Sequence, residues 1–249
     1  MSRAPSIDLN ADVGEGCGFD AGLVPLVTSV NIACGAHAGD AATMREAVTL
    51  ALESRAAIGA HPGFEDREHF GRREIAVSPG QAARLVVSQL ERLQGVAASL
   101  GARVVHVKLH GALYNMASRD RALASAVVEA LQGRDLFLFA LAGSVLASEG
   151  RHAGLKVVAE AFADRAYLSD GSLAPRSLPG SVIEEEGRAA EQAVSIAREG
   201  CVRCRDGARV TVDAQTLCIH GDKPGCVAFA RRIRRELQSA GIGVNGPSG

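Results

Sequence analysis

The stretch Val-Val-His-Val-Lys-Leu-His, residues 104–110, decides the fold. Side chains of a β-strand alternate between its faces, so His106, Lys108 and His110 share one face and Val105, Val107 and Leu109 the other. Residues 7–12, Ile-Asp-Leu-Asn-Ala-Asp, repeat the pattern, with Asp8, Asn10 and Asp12 opposite Ile7, Leu9 and Ala11. An apolar back must pack under helices. The polar front then faces other polar strand faces, as the interior of a barrel allows. Asn31 and His37 have matching parity on a third such segment and its extension.

Working outward, apolar runs at 7–11, 30–34, 57–60, 104–109, 136–141, 156–160 and 216–220 read as strands. Helical patterns fill 40–55, 79–100, 120–132, 184–199 and 224–240, the second opened by Ser78 as N-cap and Pro79 at the first helical position. Strands alternating with helices imply parallel pairing with right-handed crossovers. The expected fold is α/β, a distorted seven-stranded parallel βα barrel, with a doubly wound open sheet as the alternative. Residues 1–249 read as a single domain with loop or hairpin insertions near 161–183 and 202–212, the latter turning at Asp206–Gly207.

Titratable residues terminate the strands. Asp12, His37, His61, His110, Glu160 and His220 all follow strand ends, which share one face in parallel architecture. Glycine stands beside most of them, where tight turns and close backbone approach to a ligand are needed. The polar triplets also read as a buried network without chemical role, although burying unpaired charge is costly. His106, deepest on its strand, reads equally as structural or functional. The loop 61–73 has the charges and phenylalanines of a lid, and Arg72 and Arg73 suit an anion. Gly-Asp-Lys-Pro-Gly, 221–225, leads into the last helix, so Gly221 and Lys223 are phosphate-binding candidates.

Composition excludes much else. The 249 residues are 47% hydrophobic with a net charge of -1, which gives no electrostatic reason to expect nucleic acid or an anionic membrane. No P-loop occurs, and Cys201-x-x-Cys204 lacks a second pair. The six cysteines read as free thiols, and without a leader or a membrane-length apolar run the chain is expected in the cytoplasm.

Six ordered motifs carry a resemblance spanning residues 7–242. They are Asp-Leu-Asn-Ala-Asp-Val-Gly-Glu (8–15), Ser-Val-Asn-Ile-Ala-Cys-Gly-Ala-His-Ala-Gly-Asp (29–40), Ile-Gly-Ala-His-Pro-Gly-Phe (58–64), Val-Lys-Leu-His-Gly-Ala-Leu-Tyr-Asn (107–115), Glu-Ala-Phe-Ala-Asp-Arg-Ala-Tyr (160–167) and Cys-Ile-His-Gly-Asp (218–222). The chain resembles the lactam-utilisation family, identified with the A component of bacterial 5-oxoprolinase, whose barrel is related to polysaccharide deacetylases. It departs in a shortened segment at 17–23, in Ala36 for a bulkier residue and in Leu109 where proline is common.

The resemblance implies ATP-dependent hydrolysis of 5-oxoproline to L-glutamate, with Mg²⁺ accompanying ATP and 5-oxoprolinase subunits B and C as partners. It implies catalytic roles for Asp12, Glu15, His61, Lys108, His110 and Glu160. Substrate binding would fall to Asn10, His37, Tyr114, Asn115, Asp164, Arg165, His220 and Asp222, joined by Arg72 from the charge of loop 61–73. Two other readings stay open. One is a metal-dependent deacetylase or amidohydrolase with Asp12, His37, His61 and His110 around Zn²⁺. The other is a 5-oxoproline-binding subunit without its own catalysis.

Overall fold

The computed structural model describes residues 5–247. Seven parallel strands form the barrel: β1 (Ser6–Val13), β2 (Ser29–Ala33), β3 (Ala57–His61), β4 (His106–Lys108), β5 (Phe137–Leu141), β6 (Lys156–Phe162) and β9 (Thr216–Ile219). They pair in that order, and β9 also pairs with β1, so the sheet closes on itself. Closure selects the barrel over the open sheet. A small antiparallel hairpin, β7 (Cys201–Arg203) with β8 (Arg209–Thr211), precedes the last barrel strand, and β10 (Gly243–Val244) extends β1 below the barrel.

Helices α1 (Asp20–Leu23), α2 (Ala41–Ser54), α3 (Pro79–Ser99), α4 (Gly111–Ala117), α5 (Arg121–Leu131), α6 (Val145–His152), α7 (Glu186–Glu199) and α8 (Cys226–Ser239) fill the connections. Local chemistry starts the longer ones. Asp40 and Ser78 each close a capping box, and Asp120 accepts from Ala122 and Leu123. The outward faces of β1 and β4 are apolar as expected, with Leu9, Ala11, Val107 and Leu109 buried beneath this layer.

Several boundaries differ from the sequence reading. β4 is only His106–Lys108, because Val104 and Val105 approach the barrel as irregular chain. α8 begins at Cys226 rather than at 224, since Gly225 caps it in the left-handed region at φ +88°. α4 and α6 have no counterpart in that reading. The insertion after β6 folds as two antiparallel bridges, Arg165 with Val182 and Tyr167 with Leu173, and carries no helix.

Candidate active site

The barrel interior is polar and layered. At its floor the Asp8 carboxylate accepts from the hydroxyls of Thr28 (2.6 Å), Ser29 (2.8 Å) and Thr216. Burial pushes its pKa up to about 6, against the opposing pull of those hydroxyls. Above it, Asn10 Nδ2 donates to Thr216 Oγ1 (2.8 Å) and Glu160 Oε1 (3.0 Å). Asn31 Nδ2 donates to Asn10 Oδ1 (2.7 Å) and Asp12 Oδ1 (2.9 Å). His106 Nε2 donates to Asn31 Oδ1 (2.9 Å), and its ring stacks on Phe139 with centroids 4.2 Å apart. His106 therefore belongs to this supporting layer, as its depth on β4 allowed.

Lys108 occupies the centre, 2% exposed. Its ammonium lies 3.0 Å from Asp12 Oδ1 and 2.9 Å from Glu160 Oε1, and donates also to Asn10 Oδ1 (3.2 Å) and Cys218 Sγ (2.9 Å). Tyr114 donates its hydroxyl to the other Glu160 oxygen at 2.7 Å. Burial opposes charge on Lys108, but Asp12, Cys218 and Glu160 outweigh it and carry the pKa well above the ordinary lysine range. Asp12 responds in kind: burial would raise its pKa, yet His61 and Lys108 hold it well below the usual carboxylate range. Lys108 is thus a fixed cation. It is no free nucleophile.

Three imidazoles roof this layer. His61 Nδ1 donates to the Lys108 carbonyl (2.8 Å) and His110 Nε2 to the Phe70 carbonyl (2.8 Å). Carbonyls only accept, so both tautomers are set, and the two remaining nitrogens face each other across 2.9 Å. One proton between them converts a lone-pair clash into a hydrogen bond. His37 stacks on His110 with centroids 3.7 Å apart and contacts Glu15 Oε1 at 3.3 Å through Nε2. Burial, then the neighbouring Asp12 and Asp222, push the Glu15 pKa well above its usual range. Burial and the nearby His61 push that of His37 down to about 2. Loop 61–73 is fastened over this roof, with Gly71 donating to the Asp66 carbonyl and its own carbonyl accepting from Ala112. A side chain at Gly71 (φ +63°) would meet His37 Cβ at 2.8 Å, so glycine lets the loop approach.

Ligand atoms of Glu15, His37, His61 and His110 lie within 4.8 Å of one another, as do those of Asp12, Cys218 and His220. The rings of His37 and His110 are parallel within 1° and stacked 3.7 Å apart, so their in-plane lone pairs cannot converge on one position. Imidazole ligates through its in-plane lone pair. Asp12, expected in a metal set, splits its carboxylate, with Oδ1 on Lys108 (3.0 Å) and Oδ2 near His61 Nε2 (3.4 Å). The four-residue metal arrangement does not fit this geometry.

The rim collects the remaining candidates unevenly. Arg72 is neutralised by Asp222 at 2.5 Å and lies over Phe70, so it is not a free anion receptor. Arg73 reaches Asp66 (3.5 Å). His220 donates from Nδ1 to Asp164 Oδ2 at 2.7 Å. Arg165 is corrected to a structural role: its buried guanidinium donates to the Ala174 (2.6 Å) and Ser181 (3.3 Å) carbonyls and pins the insertion. Asn115 lies on the exposed face of α4, one residue beyond buried Tyr114, and does not join the cluster. Gly221 packs where a Cβ would meet the Asp12 carbonyl at 2.8 Å, and Lys223 is exposed beside Glu184 (3.8 Å). Neither forms a phosphate cradle.

Beside His220 a cavity of about 300 Å³ opens, with Asp164, Arg176, Asp222 and Lys223 among its walls. Sequence reasoning missed Ser29, Thr216 and Cys218, on barrel strands with inward parity, and Thr28, one residue before β2. It missed Phe70, which acts through its carbonyl, and Arg176, which had no motif to announce it.

Comparison with known proteins agrees with this architecture. A profile of the LamB/YcsF family matches residues 7–248. The chain is 48% identical over 245 residues to the A component of 5-oxoprolinase from Heliobacterium modesticaldum, covering 96% of each chain. It is 46% identical to a lactam utilization protein from Thermus thermophilus, whose crystal structure superposes with a TM-score of 0.90 over 96% of this chain and 99% of that one. A family 4 carbohydrate esterase from Streptomyces lividans shares the fold alone, at 12% identity and a TM-score of 0.51, covering 98% and 93%.

Proposed function

Because the chain belongs to the LamB/YcsF family, we propose that it serves as the A component of a 5-oxoprolinase, opening 5-oxoproline to L-glutamate with hydrolysis of ATP, in the cytoplasm and with partner subunits B and C. The observation that carries this reading is Lys108, a buried cation gripped by Asp12 and Glu160 directly beneath three clustered histidines.

An unstrained lactam is a poor electrophile; ATP, with Mg²⁺, would supply the activation, its terminal phosphoryl group going to the amide oxygen as ADP leaves, so that one water opens the ring and a second releases inorganic phosphate. The chain's own groups do the rest. Lys108 is a preorganised positive charge for the oxygen on which negative charge develops, and needs no reorganisation as it forms. Glu15, whose pKa burial raises, orients water and exchanges a proton with it. The facing nitrogens of His61 and His110 pass a proton to the departing lactam nitrogen, since their other nitrogens are committed to carbonyls. Tyr114 and Asn10 hold Glu160 against Lys108.

The test is ATP-dependent glutamate release by the chain with and without its partners. His110→Ala and Asp12→Ala, each folded, are expected to abolish turnover in the complex. Near-normal release by both would move the chemistry to a partner and leave this chain a binding subunit.

A further inference from the structure

One cation of the rim is uncommitted. Arg176, on the insertion after β6, donates one N–H to His220 Nε2 at 3.0 Å. Among the described residues it makes no ion pair, so most of its five donors remain available. Its placement is built in. An arginine only donates, so His220 Nε2 is bare and Nδ1 carries the hydrogen given to Asp164 Oδ2. Asp164 is 8% exposed. A buried carboxylate thus orients an imidazole, which orients a guanidinium. The backbone beneath is anchored as well: Arg165 grips the carbonyls on either side of this turn, Ser181 donates its hydroxyl to the Arg176 carbonyl (3.3 Å), and Arg205 holds the Pro179 carbonyl (2.6 Å).

Arg176 lines the rim cavity, and charge identifies what fits there. Arg176 and Lys223 face four carboxylates, those of Asp164, Glu184, Glu186 and Asp222. A polyphosphate would add several negative charges to a wall already rich in them. A single carboxylate matches the one unpaired guanidinium, with bidentate geometry available. The volume is at the small end of ligand pockets and suits one small ring. Phe162 stands between the cavity and the polar barrel layer, stacking on His220 (5.7 Å) and lying 5.4 Å from Lys108 Nζ.

We infer that Arg176, held by Asp164 and His220, receives the carboxylate of a small ring acid in this cavity. The inference rests on the lactam reading for naming that acid as 5-oxoproline.

The test compares 5-oxoproline with its neutral carboxamide in wild type, Arg176→Met and Arg176→Lys. Calorimetry on the chain is paired with kinetics in the complex. Arg176→Met should weaken 5-oxoproline binding and raise its KM at least tenfold, with kcat within about twofold and carboxamide binding unchanged. Lysine should restore part of the loss, and the KM for ATP should not move. Equal affinity of wild type and Arg176→Met for 5-oxoproline, no binding by wild type, or a raised KM for ATP instead would each overturn the inference. Arg176-dependent binding without any ATP-dependent glutamate would uphold it and sink the proposed function alone.

Discussion

Replacing Lys108 with methionine keeps the length and apolar stem of the side chain and deletes its charge. Asp12 and Glu160, 3.0 and 2.9 Å from the lost ammonium, would be left facing each other in a barrel that excludes water. Breaking a buried pair by removing one partner costs ~3–5 kcal/mol, because the surviving charge stays desolvated. Two carboxylates share this cation, so the upper part of that range applies. At ~2–4 °C per kcal/mol for a chain of this size, Tm should fall by roughly 10–20 °C. The penalty should depend on pH. Asp12 has a depressed pKa, so its contribution in wild type is present above the unfolded carboxylate pKa and lost as pH falls through the lower, folded value. Without Lys108 that contribution largely disappears, and protonation relieves the variant sooner than wild type. The stability deficit should therefore be largest near pH 8 and smaller near pH 4. Urea unfolding of both proteins across that range measures it, and adding Glu160→Gln should recover part of the loss. A deficit under about 1 kcal/mol, or one that ignores pH, would refute the account of Lys108 as the cation that makes the acidic interior tolerable.

Asp8 gives the opposite pH signature. Its folded pKa is raised from 3.8 to about 6, so its stabilising contribution is complete below pH 3.8 and lost as pH rises through 6, a swing of ~3 kcal/mol. Asp8→Asn should thus gain stability relative to wild type by about that amount between pH 4 and pH 7 in denaturant titrations, and a constant difference would disprove the assignment. Gly59→Ala would set a methyl against the His106 imidazole and force that ring off Asn31 and Phe139. The cost should be ~2–5 kcal/mol, combining overpacking with an unsatisfied polar group, and should largely vanish in a His106→Ala background. Additive penalties in that double-mutant cycle would exclude the clash.

The barrel was legible because period-two alternation in β1 and β4 placed Asp8, Asn10, Asp12, His106, Lys108 and His110 on one side, and the network bonds them there. Pairing within that set was not legible. Alternation fixes which way a side chain points, whereas the sharing of Asp12 between Lys108 and His61, with Glu15 beside His37, depends on the depth at which strands meet around the ring. α4 escaped notice because it starts directly at His110 with Gly111 in the left-handed region and no capping side chain. Arg165 and Arg176 show the limit most plainly. They sit in one insertion, yet one is consumed by backbone carbonyls and the other stands over a cavity. Only the bridges that fold the insertion separate them.

The last barrel strand lies more than fifty residues after the sixth in the chain, and it closes the ring between the first and the sixth. It brings Thr216 to Asp8 and Asn10, and Cys218 to Lys108. During synthesis Asp8 therefore waits for a partner made 208 residues later. A nascent chain stalled before residue 216 would hold an open sheet with charged side chains along the seam, a form that a chaperone can distinguish from the finished ring.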